Sequence, residues 1–348
     1  MIESPPPRPS ASLWSSLSLL RFVLAAIVAA AHVKAFYGGT LAALDPVKIL
    51  ASFNGHAAVV GFLLVSGFSI AHSLLAEGKG YVWRRFVRIY PLYLPAVLFS
   101  AWVGGYVVPG SAAGEPITYA APGLFETLGN LLMLQCVLVP PMSNNGPLWT
   151  LSLEWWCYMA APLLAMLSRR RLLLVLVLMT AAHLSWMVLG ARFGFYARCP
   201  FGLHIVFLGV FWLAGFWYYQ VRAAPWAAWS FIGLVWLLTG LNRDNLAGNY
   251  QPTLAVSCLM LIAGGLIAWP AWSGGLLKLL GNASYSLYLL HKPFYHLAHE
   301  NLGLRQGWQI FSLTVAVAIL AHWLVELPLR KALQKLWNHL QGSRSPAT

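Results

Sequence analysis

Polar positions are sparse along this chain, and the apolar runs between them approach twenty residues, the length at which a helix crosses a bilayer. They predict an all-α integral membrane protein. The expected bundle has about ten transmembrane helices, near 13–36, 57–76, 90–108, 149–168, 172–190, 203–221, 226–241, 253–270, 280–297 and 307–326. One shorter stretch, Leu124 to Val139, contains Glu126, Asn130 and Gln135. Lipid does not tolerate such groups unpaired, so this piece is expected to be re-entrant and buried in protein. The chain divides into a tail (1–12), a membrane domain (13–328) and a basic amphipathic tail (329–348).

Composition agrees. The chain is 59% hydrophobic and only 9% charged, which leaves little room for a separate soluble domain. Its net charge of +13 is explained by topology rather than by nucleic acid. With both termini cytoplasmic, the inner segments hold about fourteen basic residues, Arg84, Arg85, Arg88 and Arg169–Arg171 among them, and the outer ones about six. The first run follows MIESPPPRPS, without a compact basic region or a small-residue cleavage site, and is expected to be a retained helix. The final LRKALQKLWNHLQ is expected to lie on the cytoplasmic membrane surface. Cys136, Cys157, Cys199 and Cys258 show no metal-ligand spacing and no disulfide framework. No pair of broken helices in matching halves suggests an inverted repeat.

Candidate chemistry enters through ionisable residues inside the spans. Arg21 and His32 interrupt the first run, and an arginine at the bilayer centre costs roughly 2.5 kcal/mol or more. Eleven residues apart, they share one helix stripe about 16 Å apart along the axis. A snorkelling Arg with a hydrogen-bonded His is the bland reading; a site is the sharper one. In the second span, Ser66 and Gly67 suit close helix packing or the wall of a substrate channel. Arg84, Arg85 and Arg88 stand where the third span begins. They are either membrane anchors or recognition groups for phosphate, such as that of a coenzyme A donor. Glu154, among tryptophans in the fourth full span, needs a partner, whether a buried Arg or His32. Ser284, Tyr288 and His291 form one polar stripe on the ninth span, whose aromatics also suit an interface belt. Glu326 and Pro328 most simply mark the exit of the last span.

Taken in order, these stretches resemble acyltransferase family 3. The matching pieces are Arg21 with His32, the segment Gly61–Phe68 ending in Ser-Gly-Phe, Arg84-Arg85-x-x-Arg88-Ile-x-Pro91, and Trp149-x-Leu-Ser-Leu-Glu154. They continue with Gly281-x-x-Ser284-Tyr285-Ser286-Leu287-Tyr288-Leu289-x-His291 and Glu326-x-Pro328. Each is weak alone; the ordered set covers nearly the whole chain. Glu154 is followed here by Trp-Trp-Cys-Tyr158, where many relatives have a more polar residue and a Phe before the Tyr.

The resemblance implies a membrane O-acyltransferase of the bacterial cytoplasmic membrane, with acyl-CoA, usually acetyl-CoA, as co-substrate and no metal. The acceptor would be a hydroxyl of an extracytoplasmic polysaccharide or its lipid-linked precursor. It places His32 and Arg21 in the catalytic constellation, where Glu154 is expected to join them, and Arg85 and Arg88 in an essential cytoplasmic arginine motif, expected with Arg84 to hold the coenzyme. Ser66, Gly67, Trp149, Ser284, Tyr288 and His291 are expected along the substrate channel. An acyltransferase acting on a small molecule or lipid is the nearest alternative. A proton-coupled transporter, with Arg21, His32 and Glu154 as a relay, is the alternative of another class.

Overall fold

The computed structural model describes residues 7–37, 41, 45–76, 78–108, 117–189, 201–240, 249–304 and 306–342. Cys199 lies outside that set, as do Arg192, Arg198, Arg243 and Arg305 of the basic residues counted as outer and Arg344 of those counted as inner. Thirteen α-helices follow in chain order among the described residues. They are α1 (Ala11–Tyr37), α2 (Pro46–Ala51), α3 (Gly55–Ala76), α4 (Tyr81–Val103), α5 (Leu124–Leu131), α6 (Trp149–Ala165) and α7 (Arg169–Leu189). Then come α8 (Leu203–Val221), α9 (Ala227–Gly240), α10 (Tyr250–Ala263), α11 (Ser273–Leu302), α12 (Gly307–Ala321) and α13 (Leu327–Gly342). Each expected span falls on one of these helices. Among the described residues, six segments, α1, α3, α4, α7, α8 and the run beginning with α12, are long and apolar enough to cross a membrane. Large apolar side chains such as Trp102, Leu163 and Trp229 are exposed on outer faces, as lipid contact requires.

α1 is central. It packs against α3 and α11, and α3 packs against α8. Leu17, Ala25, Ala29, Ala30 and Val33 are wholly buried along it. Its polar groups are matched: Ser16 Oγ donates to the Gly264 carbonyl at 2.7 Å, and Tyr295 of α11 donates to the Ala29 carbonyl at 2.9 Å.

Several expected boundaries move: α10 ends at Ala263 rather than near 270, α11 starts at Ser273 rather than near 280, and three further shifts have a local cause. α4 starts at Tyr81, not near 90, so the three arginines occupy its first turns; hydropathy reports where charges stop, not where the helix starts. α4 also ends early. Gly104 takes a left-handed φ of +70°, and Tyr106–Val108 (β1) pairs antiparallel with Ile117–Tyr119 (β2), Tyr106 opposite Tyr119. Pro328 does not end the last helix. A π turn, His322–Glu326, joins α12 to α13, so the helix runs on from Gly307 to Gln341 with Pro328 inside it.

The 124–139 stretch does not span. After the short α5, Asn130 Nδ2 donates to the Glu126 and Pro140 carbonyls at 2.8 and 3.0 Å. Gln135 Nε2 donates to Tyr93 Oη at 3.0 Å and to the Leu148 carbonyl at 2.8 Å. The amides that lipid would reject are thus buried in protein.

Candidate functional site

Two cavities lie along α1, one at the Arg21 level and one at the His32 level. The arginine-side cavity, about 140 Å³, is lined by Arg21, Ser66, Arg85, Arg88, Glu154, Tyr158, Ser284 and Tyr288. The Glu154 carboxylate is within hydrogen-bonding reach of the Ser66 and Tyr158 hydroxyls and faces Arg21 and Arg88. Ser66 Oγ and Tyr158 Oη are themselves 2.9 Å apart. Arg21 Nε donates to the Leu17 carbonyl at 3.3 Å, and Arg21 lines the cavity. Arg85 Nη2 donates to Ser73 Oγ at 2.9 Å.

Arg88 is held differently. Its Nη1 lies 2.6 Å from Oε1 of Glu326, a carboxylate with 0% exposure. The same carboxylate receives Arg330 at 3.3 Å, His322 Nδ1 at 2.8 Å and Ser286 Oγ at 3.4 Å. The π turn that ends α12 brings His322 and Glu326 to face α4 and α11. Arg84 does not join this group; it donates to the Lys79 carbonyl and is not part of the cavity wall.

The histidine-side cavity is larger, about 500 Å³, and is walled by His32, Lys34, Asn54, His56, Trp149, Tyr288 and Lys292 among others. Its ring contacts define a tautomer. His32 Nδ1 lies 2.9 Å from the Val28 carbonyl, and His291 Nδ1 lies 2.8 Å from the Tyr288 carbonyl. Carbonyls only accept, so both Nδ1 atoms carry the hydrogen. His291 Nε2, 3.2 Å from His32 Nδ1, is then the acceptor of a shared His32 N–H. What remains is the Nε2 lone pair of His32, a residue that lines the cavity. His291 thus orients His32, much as the carboxylate or carbonyl behind a catalytic histidine does.

Tyr288 and Val59 line both cavities. The Tyr288 hydroxyl is 2.7 Å from Thr150 Oγ1 and 3.2 Å from the Pro147 carbonyl, and its ring meets Phe62 edge-on. Two buried amides hold the 3₁₀ turn Ser143–Leu148 that precedes Thr150. Asn144 Nδ2 donates to the Ser100 and Gly104 carbonyls at 2.8 and 2.7 Å. Asn145 Nδ2 donates to Ser100 Oγ at 2.9 Å and to the Leu289 carbonyl at 3.0 Å.

The structure therefore brings Arg21, Glu154, Arg85, Arg88, Ser66 and Ser284 together, and sets His32 with His291 and Trp149 on the other side of Tyr288. Gly67 lines neither cavity. A Cβ there would lie 1.8 Å from the Trp212 carbonyl oxygen, so packing of α3 on α8 accounts for it rather than a channel. Sequence reading passed over Lys292, Asn144 and Asn145. Lys292 carried a signal, being a lysine inside an apolar span; the two amides, at a span's entrance, carried none. Glu326, read as an exit marker, is the carboxylate that Arg88 needs.

Comparison with known proteins gives one family. The family model described as Acyltransferase domain (Acyl_transf_3) matches residues 14–327. No curated protein and no solved structure matches.

Proposed function

The chain belongs to that acyltransferase family, the match running over residues 14–327, and on this premise we propose that it is a membrane O-acyltransferase. It moves an acyl group, acetyl in the simplest case, from cytoplasmic acyl-CoA to a hydroxyl of an extracytoplasmic polysaccharide or its lipid-linked precursor. The observation that carries this reading is the pair of cavities divided by Tyr288, with arginines on one side and an oriented imidazole on the other.

The arginine-side cavity takes the donor. Arg85 and Arg21 offer planar guanidinium groups to phosphate or to the thioester end, and Glu154 keeps Arg21 turned inward. Arg88, already paired with Glu326, shapes the wall more than it binds. The acceptor enters the histidine-side cavity, where Trp149 offers a flat face to a sugar ring. His32 Nε2 takes the hydroxyl proton as the oxygen attacks the thioester carbonyl beside Tyr288. The C–S bond then breaks, the ester forms, and the proton passes from His32 to the departing thiolate. Every atom is accounted for without a metal or an acyl-enzyme.

The test is mass spectrometry of surface and secreted glycans from a deletion strain complemented with wild type or with His32→Ala. Membrane levels of the variant are checked alongside. An ester is expected to vanish on deletion, return with wild type and stay absent with His32→Ala, since loss of a general base removes about 10²–10⁴ in rate. Full restoration by His32→Ala overturns the mechanism. Loss of glycan export without loss of any ester favours the transporter.

A further inference from the structure

We infer that the acceptor is anionic: a sugar bearing a carboxylate or phosphate on, or next to, the residue that is acylated. This rests on the acyltransferase reading above and names the substrate class of its histidine-side cavity. Among the described residues, that cavity is walled by two lysines, Lys34 and Lys292, with no aspartate or glutamate. A buried ammonium beside no described acid is favoured by a ligand that supplies the opposite charge.

Lys292 makes the argument specific. It follows His291 on α11, is only 8% exposed, and lines the same cavity as His32. Its Nζ donates to the Ser143 carbonyl at 2.8 Å and lies 4.0 Å from the centre of the Tyr119 ring. Both contacts are with neutral groups, and they fix Nζ in place at the cavity. The β1–β2 hairpin supplies that ring, so it helps to hold the charge at the cavity. Lys34, exposed and half a turn beyond His32 on α1, places a second charge on the same wall. The arrangement is a flat aromatic, Trp149, for the ring; a lone pair, His32 Nε2, for the hydroxyl; and ammonium groups for an acidic substituent. A neutral sugar would leave those charges unanswered.

The test uses the glycan pool of a strain lacking the protein, immobilised as isolated, after reduction of its carboxylates, and after hydrolysis of its phosphodiesters. Binding of the full-length protein in nanodiscs is measured with no donor present. The untreated glycan is expected to bind, with affinity falling as salt rises, and one of the two treatments is expected to remove binding, which names the anion. Lys292→Gln is expected to weaken binding about tenfold or more, with Lys292→Arg staying close to wild type. Because a buried lysine can also matter for folding, Lys34→Gln at an exposed position provides a second arm, with a smaller loss in the same direction. Equal binding of the charged and neutralised glycans, absence of binding to any of them, or wild-type affinity in both glutamine variants overturns the inference. Labelled acyl-CoA added afterwards separates it from the activity: charge-dependent binding without transfer defeats the acyltransferase reading alone.

Discussion

Glu326 is a carboxylate shut off from water, and it is stable there because Arg88, Arg330, His322 and Ser286 converge on it. Removing one member of a buried ionic group leaves the others uncompensated, at about 3–5 kcal/mol. Glu326→Gln is therefore expected to lower the thermal unfolding midpoint in detergent sharply. Adding Arg88→Met to it should recover part of the loss, because the stranded guanidinium is then gone; no recovery would mean the pairing contributes little. At Arg85 the expectation is kinetic. Arg85→Lys keeps the charge but not the planar fork, so KM for acyl-CoA should rise several-fold with kcat little changed. These residues differ in how legible they were. Arg21, His32 and Glu154 stand out because ions inside apolar runs are rare. The role of Glu326 was hidden because one partner lies 238 positions away and another 40, and a linear reading of a span's exit has no means of pairing them.

At the scale of elements, α3 and α8 meet backbone to backbone. A Cβ at Gly67 would lie 1.8 Å from the Trp212 carbonyl oxygen, and one at Gly215 would lie 2.0 Å from that of Leu64. Backbone cannot yield as a side chain does, so Gly67→Ala must push the helices apart, an overpacking loss of about 1–3 kcal/mol or more. Fluorescence-detected size exclusion after heating should show Gly67→Ala losing folded protein at a lower temperature than wild type. Gly233→Ala, where nothing lies within 4 Å, should behave as wild type. The helices themselves were readable, since bilayer length and hydropathy constrain them strongly. Their ends were not. The early start of α4 and the π turn depend on partners in other helices. Strands of three residues, such as β1 and β2, are too short to show a period.

Across the whole molecule, the division between the two cavities is thin. Tyr288 and Val59 belong to both, and the Tyr288 hydroxyl is secured by Thr150 and the Pro147 carbonyl. Tyr288→Phe keeps the ring but loses those bonds, and acyl transfer should fall only modestly. Tyr288→Ala removes the ring, and the enzyme should then accept longer acyl chains, measured by competition among acyl-CoA donors; an unchanged chain-length preference would exclude Tyr288 as the limit. The same ring has a consequence for the cell's energy supply. A catalyst reached from both faces of a membrane, as proposed above, resembles a pore with one constriction, and a membrane potential exerts about 2.3 kcal/mol per elementary charge per 100 mV on an ion that crosses it. On the mechanism proposed above, Tyr288, which lines both cavities, is where an acyl group is handed across while protons and potassium are held back.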